Sequence, residues 1–151
     1  MSNFFNIYFD GSCRPFNPGG VMGIGGYITD ENGEWVFSFS EWFEARKENS
    51  TNKAEVIACY KALSFLYDKY KDNLHNIDIK IYGDSKLVCS KMNKKNQIFS
   101  GLYSKQAEDL YFLSKNSFRK VEFIWIPREE NTMADELSKQ SLCENNLFLC
   151  D

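Results

Sequence analysis

Four carboxylates stand at positions where the pattern of the chain turns: Asp10, Glu55, Asp84 and Asp135. Asp10 closes the apolar run NIYFD and precedes Gly11, while Asp84 closes IDIKIYG just after Gly83. Glu55 and Asp135 each fall in the first turns of a helical pattern. Singly, each has a plain explanation. An acid in a helix's first turn favours the macrodipole, and Asp beside Gly is a common turn residue. Gathered at one point, they would repel one another and hold protons at neutral pH unless hard divalent cations relieved them. Two such ions, roughly 4 Å apart, activate a water and stabilise a leaving oxygen in phosphoryl transfer.

The elements needed to gather them are legible. NFFNIYFD alternates and predicts a strand over residues 4–10. GSCRPFNPGG reads as a loop. MGIGGYITD and EWVFSFSEWF predict two further strands, joined by a DENG hairpin turn. From Thr51 to Lys71 the period becomes helical, with Ile57, Ala58, Leu63, Leu66 and Tyr70 on one face and Asn49 or Ser50 as cap. IDIKIYG predicts a fourth strand, followed by a helix from Ser85 that breaks near MNKKNQ and another over 101–115. VEFIWI predicts a fifth strand, and Asn131 is expected to cap a final helix. The order is βββαβα(α)βα. The first and fourth strands can then lie parallel through a right-handed crossover. The expected fold class is α/β, a five-stranded mixed sheet of three antiparallel strands then two parallel ones, with helices on both faces. Parallel strand ends and helix starts meet at one edge of such a sheet, which is where the four acids fall.

Composition narrows the function classes. With 43% hydrophobic and 26% charged residues the 151-residue chain reads as one soluble domain, and 16% aromatics can fill its core with few residues. The domain is expected over residues 1–142, with a short tail over 143–151. No run is long and apolar enough to span a bilayer, and MSNFFNIYFD lacks the features of a secretory signal. A cytoplasmic monomer with no membrane partner is the expectation. The five cysteines contain no CxxC pair and His75 is the single histidine, in a polar connection, so a structural zinc site is not expected. Cys13, Cys59 and Cys89 read as small apolar fillers. Cys143 and Cys150 are able to pair, though nothing in the sequence requires it. The net charge of −3 argues mildly against nucleic-acid binding, unless bound cations face the phosphates.

The neighbours of the four acids carry a resemblance. YFDGSC, STNKAE, YGDS and NTMADELS occur in that order. With these the chain resembles the type 1 ribonuclease H family over residues 4–142. The resemblance implies the ribonuclease H-like fold and an endoribonuclease that cuts the RNA strand of RNA–DNA hybrids with two Mg²⁺ ions, Mn²⁺ substituting, leaving 5′-phosphate and 3′-hydroxyl ends. It implies that Asp10 bridges both ions, with Asp135 on the ion that activates water and Glu55 and Asp84 on the ion at the leaving oxygen. Gly11, Ser12 and Cys13 would approach the RNA, where the 2′-hydroxyl separates it from DNA. Asn17 and Asn52 would contact the hybrid. Ser50 and Thr51 fall where the family grips a DNA phosphate, and simple helix capping fits them equally. Lys86 would meet the hybrid backbone or lie on a solvated helix face.

The chain departs from that pattern in three ways. WIPREENTMAD lacks the loop His of many members; Arg128 or Glu129 is nearby, and Arg128 fits a phosphate contact or a surface role. KMNKKNQ offers Lys91, Lys94 and Lys95 where many bacterial members carry a basic handle helix. No separate hybrid-binding domain is expected before the core. The last two predict weak, salt-sensitive binding. A catalytically weak nucleic-acid-binding relative, or another nuclease of the same fold superfamily, is the alternative. Trp35, Trp42 and Trp125 are expected to pack on sheet faces, and Ser138 and Lys139 to form an exposed final turn.

Overall fold

A computed structural model describes residues 3–95, 97, 99–101 and 103–147. Five strands form one sheet in the order β3-β2-β1-β4-β5. They are β1 (Phe4–Arg14), β2 (Val21–Asp30), β3 (Trp35–Phe43), β4 (Asp78–Gly83) and β5 (Lys120–Trp125). β1, β2 and β3 pair antiparallel, whereas β4 lies parallel to β1 and to β5. Four helices complete the fold: α1 (Thr51–Lys69), α2 (Lys86–Asn93), α3 (Ser104–Asn116) and α4 (Thr132–Glu144). This is the expected α/β architecture.

Strand alternation sorts the two faces. Phe5, Ile7, Phe9, Ile24, Ile28, Ile79 and Ile81 share one face and are fully or almost fully buried. Against them α1 sets Ala54, Ala58, Ala62, Leu63 and Leu66, also buried. Small residues on one stripe of α1 let the helix approach closely while the sheet supplies the bulk. Each large side chain so buried stabilises the fold by about 1.5–3 kcal/mol. α3 packs on α1 and β5, and α2 on β5.

α4 covers the opposite face, across β1, β2 and β3. There Gly23 and Gly25 leave the sheet bare, and a Cβ on Gly25 would overlap the backbone of Leu137 and Ser138. Ser138 is therefore fully buried rather than part of an exposed turn. Beyond α4 on this face Tyr82, Tyr8, Tyr27 and Trp35 stack in a row, with centroids 4.8, 4.8 and 4.5 Å apart. Trp35 is thus used in sheet-face packing, as its strand position suggests.

Several boundaries differ from the sequence reading. β1 does not stop at Asp10; Gly11 to Arg14 stay paired with Val21 to Ile24. Glycine and proline near this stretch suggest a loop, but the ladder hydrogen bonds to β2 outweigh that local preference. Of the two proposed caps Ser50 is the one used, its Oγ accepting from Lys53 N. Asn49 is buried instead and donates to Gly20 O and Glu44 O. α4 runs two residues beyond position 142. A Cys143–Cys150 pairing lies outside the described residues, because Cys150 is not among them.

Candidate metal centre

Tyr8 pairs with Tyr82 across the parallel β1–β4 ladder. Two residues further along each strand stand Asp10 and Asp84, so strand register alone makes them neighbours. Glu55 reaches the same edge from the α1 face. It can do so because Gly11 has no side chain: a Cβ there would overlap Ala54 and the Glu55 backbone. Oxygens of Asp10, Glu55 and Asp84 all lie within 4.8 Å of one another, a spacing that can hold a cation. Asp135 arrives from the other face in the first turn of α4 and is hydrogen-bonded to Asp10. Asn131 anchors that helix start to β1. Its side chain does not cap α4, as the sequence suggested; it is buried and donates to Phe9 O at 3.0 Å.

The electrostatics follow from burial and crowding. Burial raises the Asp10 carboxyl to about 9, with Asp84, the bond to Asp135 and Glu55 adding to the rise. Burial and then Asp84 push Glu55 up to about 8. Asp84 is raised by burial, although Arg128 opposes the shift. Asp135 differs. Burial alone would raise it, but the bond from Asp10, the Lys139 ammonium and Arg128 together bring it below the usual carboxylate range. Lys139 Nζ donates to Asp135 Oδ2 at 3.0 Å. Asp10 and Glu55 therefore hold protons at neutral pH in the absence of a cation, with the Asp10 carboxyl donating to Asp135.

A cavity of about 360 Å³ opens on this cluster. Its wall contains nine of the residues expected from sequence: Asp10, Gly11, Ser12, Cys13, Thr51, Glu55, Asp84, Arg128 and Asp135. Arg14 and Lys139 also line it and were not anticipated. The i,i+4 spacing of Asp135 and Lys139 is the signal that could have found the second. Asn17, Ser50, Asn52 and Lys86 stand outside the wall. Asn17 Oδ1 accepts from Thr51 N at 3.1 Å, and Lys86 Nζ sits 4.7 Å above the Trp125 ring. Trp125 Nε1 in turn donates to Asp84 O.

The residues fit hard divalent cations. The donor set is all carboxylate oxygen, which suits magnesium or manganese and disfavours zinc or copper. Ser12 Oγ, buried in the same wall, has no hydrogen-bond partner among the described residues.

A sheet of this order with four helices defines the ribonuclease H-like fold, here with acids delivered to one edge from β1, α1, the end of β4 and α4. The sequence matches the family described as reverse transcriptase-like over residues 8–141. The structure is similar to that of LC11-RNase H1, isolated from compost by a metagenomic approach, with 27% identity, coverage of 95% of this chain and 99% of that one, and a TM-score of 0.81. LC11-RNase H1 in complex with an RNA/DNA hybrid aligns at 26% identity over 94% of this chain and 99% of that chain, with a TM-score of 0.80. RNase H1 from the halophilic archaeon Halobacterium salinarum shares the fold at 24% identity, 93% and 98% coverage and a TM-score of 0.75. The chain belongs to the reverse transcriptase-like family, in its type 1 ribonuclease H branch.

Proposed function

We propose that this ribonuclease H hydrolyses the RNA strand of RNA–DNA hybrids, using two Mg²⁺ ions for which Mn²⁺ can substitute. The observation that carries the reading is the convergence of four carboxylates from four separate elements, among which Asp10 and Glu55 are raised so far by burial and neighbouring carboxyl groups that they hold protons when no cation is present. Hybrid as substrate is further supported by the similar LC11-RNase H1, which has been captured with one.

In this reading Asp10 is shared, since it contacts both the Glu55–Asp84 group and Asp135. Asp10 and Asp135 would hold one ion, and Asp10 with Glu55 and Asp84 would hold the other. Bound there, the ions would supply an activated water and a Lewis acid at the leaving oxygen. The bond broken is P–O3′, so one fragment keeps a 3′-hydroxyl and the other a 5′-phosphate. Gly11, Ser12 and Cys13 offer backbone to the RNA strand, where the 2′-hydroxyl is the feature to be read. Arg128 lies close enough to act on Asp84 and Asp135 and is suited to grip a phosphate oxygen. Thr51 and Ser50, at the N-terminus of a long helix, would hold a phosphate of the DNA strand. Asn17, whose carbonyl oxygen is engaged, can still donate from its amide. Asn52 and Lys86 complete the proposed contacts. All four acids come from one chain, so a monomer suffices.

The test is a cleavage panel of end-labelled RNA–DNA hybrid, double-stranded RNA, single-stranded RNA and DNA, each with Mg²⁺, Mn²⁺ or chelator. Hybrid is expected to be cut, only with an ion present, and to yield 5′-phosphate and 3′-hydroxyl ends. Cleavage persisting in chelator, or an uncut hybrid, would overturn the reading.

A further inference from the structure

Phe16 is the most exposed large hydrophobic side chain among the described residues, at 68%. Its loop, between β1 and β2, is nevertheless fastened at several points. Cys13 Sγ donates to Phe16 O at 3.1 Å. On the other side Asn17 Oδ1 accepts from Thr51 N at 3.1 Å, and Gly19 N donates to Asn49 O at 2.9 Å. The buried Asn49 side chain then donates to Gly20 O at 2.9 Å. The chain before and after Phe16 is thus tied to β1 and to the start of α1, while the ring points away. Cys13 and Arg14, which lead into the loop, and Thr51, to which Asn17 is hydrogen-bonded, all line the acidic cavity, so the loop adjoins that cavity.

We propose that Phe16 is a substrate-contact residue, its ring packing against sugars and base edges in a groove of the duplex that lies across the cavity. The inference rests on the hybrid-cleavage reading. Apolar side chains placed in a nucleic-acid groove gain contact area that phosphate contacts do not supply. Apolar contact with sugars is indifferent to sequence, because every nucleotide presents one. A loop backbone already held in place forgoes the ordering cost of a mobile one. The chain also carries a net charge of −3, so its affinity for a polyanion has little general attraction behind it. A non-ionic contact at the mouth of the site provides binding that salt does not remove.

The experiment compares the full chain with its Phe16→Ala and Phe16→Trp variants. Affinity for a fluorescent RNA–DNA hybrid is read by anisotropy over a salt series, in an Asp10→Asn background that prevents turnover. Steady-state cleavage is measured in the otherwise native chain. Phe16→Ala is expected to weaken hybrid binding about tenfold. KM should rise in parallel, with far less change in kcat. The slope of log affinity against log salt stays as in the parent, since no phosphate contact is lost. Phe16→Trp restores affinity. Parental affinity in Phe16→Ala overturns the proposal, leaving the ring free for a protein partner. A reduced salt slope, or weak binding by Phe16→Trp as well, assigns Phe16 to shaping the loop and also overturns it. A native chain that leaves hybrid uncut overturns the hybrid-cleavage reading and this inference with it. A native chain that cuts hybrid while Phe16→Ala behaves identically overturns this inference alone.

Discussion

The two sides of the acidic centre are built on opposite principles. Asp10, Glu55 and Asp84 crowd together, the first two buried, and burial dominates the upward shift of each. Asp135 sits a hydrogen bond away yet is lowered, because Lys139 and Arg128 attend it and Asp10 donates to it. The first side is short of positive charge and needs cations from solution. The second carries its own. A site of this form can hold a metal where the protein supplies no counter-charge, and can grip a phosphate where it supplies one.

The comparison can be broken most forcefully at Asp10. Asp10→Asn removes the group common to both sides while keeping its shape. Hybrid cleavage should fall about a thousandfold or more, with circular dichroism showing an unchanged fold. Cleavage at the wild-type rate would remove Asp10 from the centre.

A second measurement concerns the proton-laden side. Folded Asp10 and Glu55 hold protons up to about 9 and about 8, whereas the unfolded chain loses them near the ordinary values of 3.8 and 4.5. The folded state therefore binds more protons across that interval, and the stability of the cation-free protein declines as pH rises through it. Melting temperature in chelator should drop between roughly pH 5 and 9. Magnesium, which binds the ionised acids, should raise it more at pH 8.5 than at pH 6. A chelated protein whose melting is flat with pH would contradict the crowding described above.

The smallest effect sharpens the other side. Lys139→Ala removes an ion pair whose side chains are 29% and 25% exposed. The expected destabilisation is below about 1 kcal/mol, while a carboxyl-detected NMR titration should find Asp135 shifted upward. An unmoved Asp135 would mean that the bond from Asp10 and the nearby Arg128 suffice to hold it down.

The sheet order and the convergence of the acids were legible because each rests on strong local signals. Alternation marks β1 to β3, and an acid after glycine marks the end of β4. What escaped depended on partners distant in sequence. Gly11 to Arg14 look like loop until β2 is set beside them. Ser138 and Lys139 look exposed until Gly23 and Gly25 admit α4 to the sheet. Asn131 resembles a cap, but the Phe9 carbonyl claims its side chain. Arg14 was passed over because a basic residue in a Pro/Gly-rich stretch carries no signal of its own. No sequence window contains those relationships, since each is a pairing across the sheet.

The bare patch at Gly23 and Gly25 has a consequence for how this centre can fail. Adding a single methyl group at Gly25 would lever α4 off the sheet, and Asp135 would travel with it. No charge would have changed and no ligand would have been removed, yet the gap between the two halves would widen. The spacing of the four carboxylates is thus written partly in absent atoms.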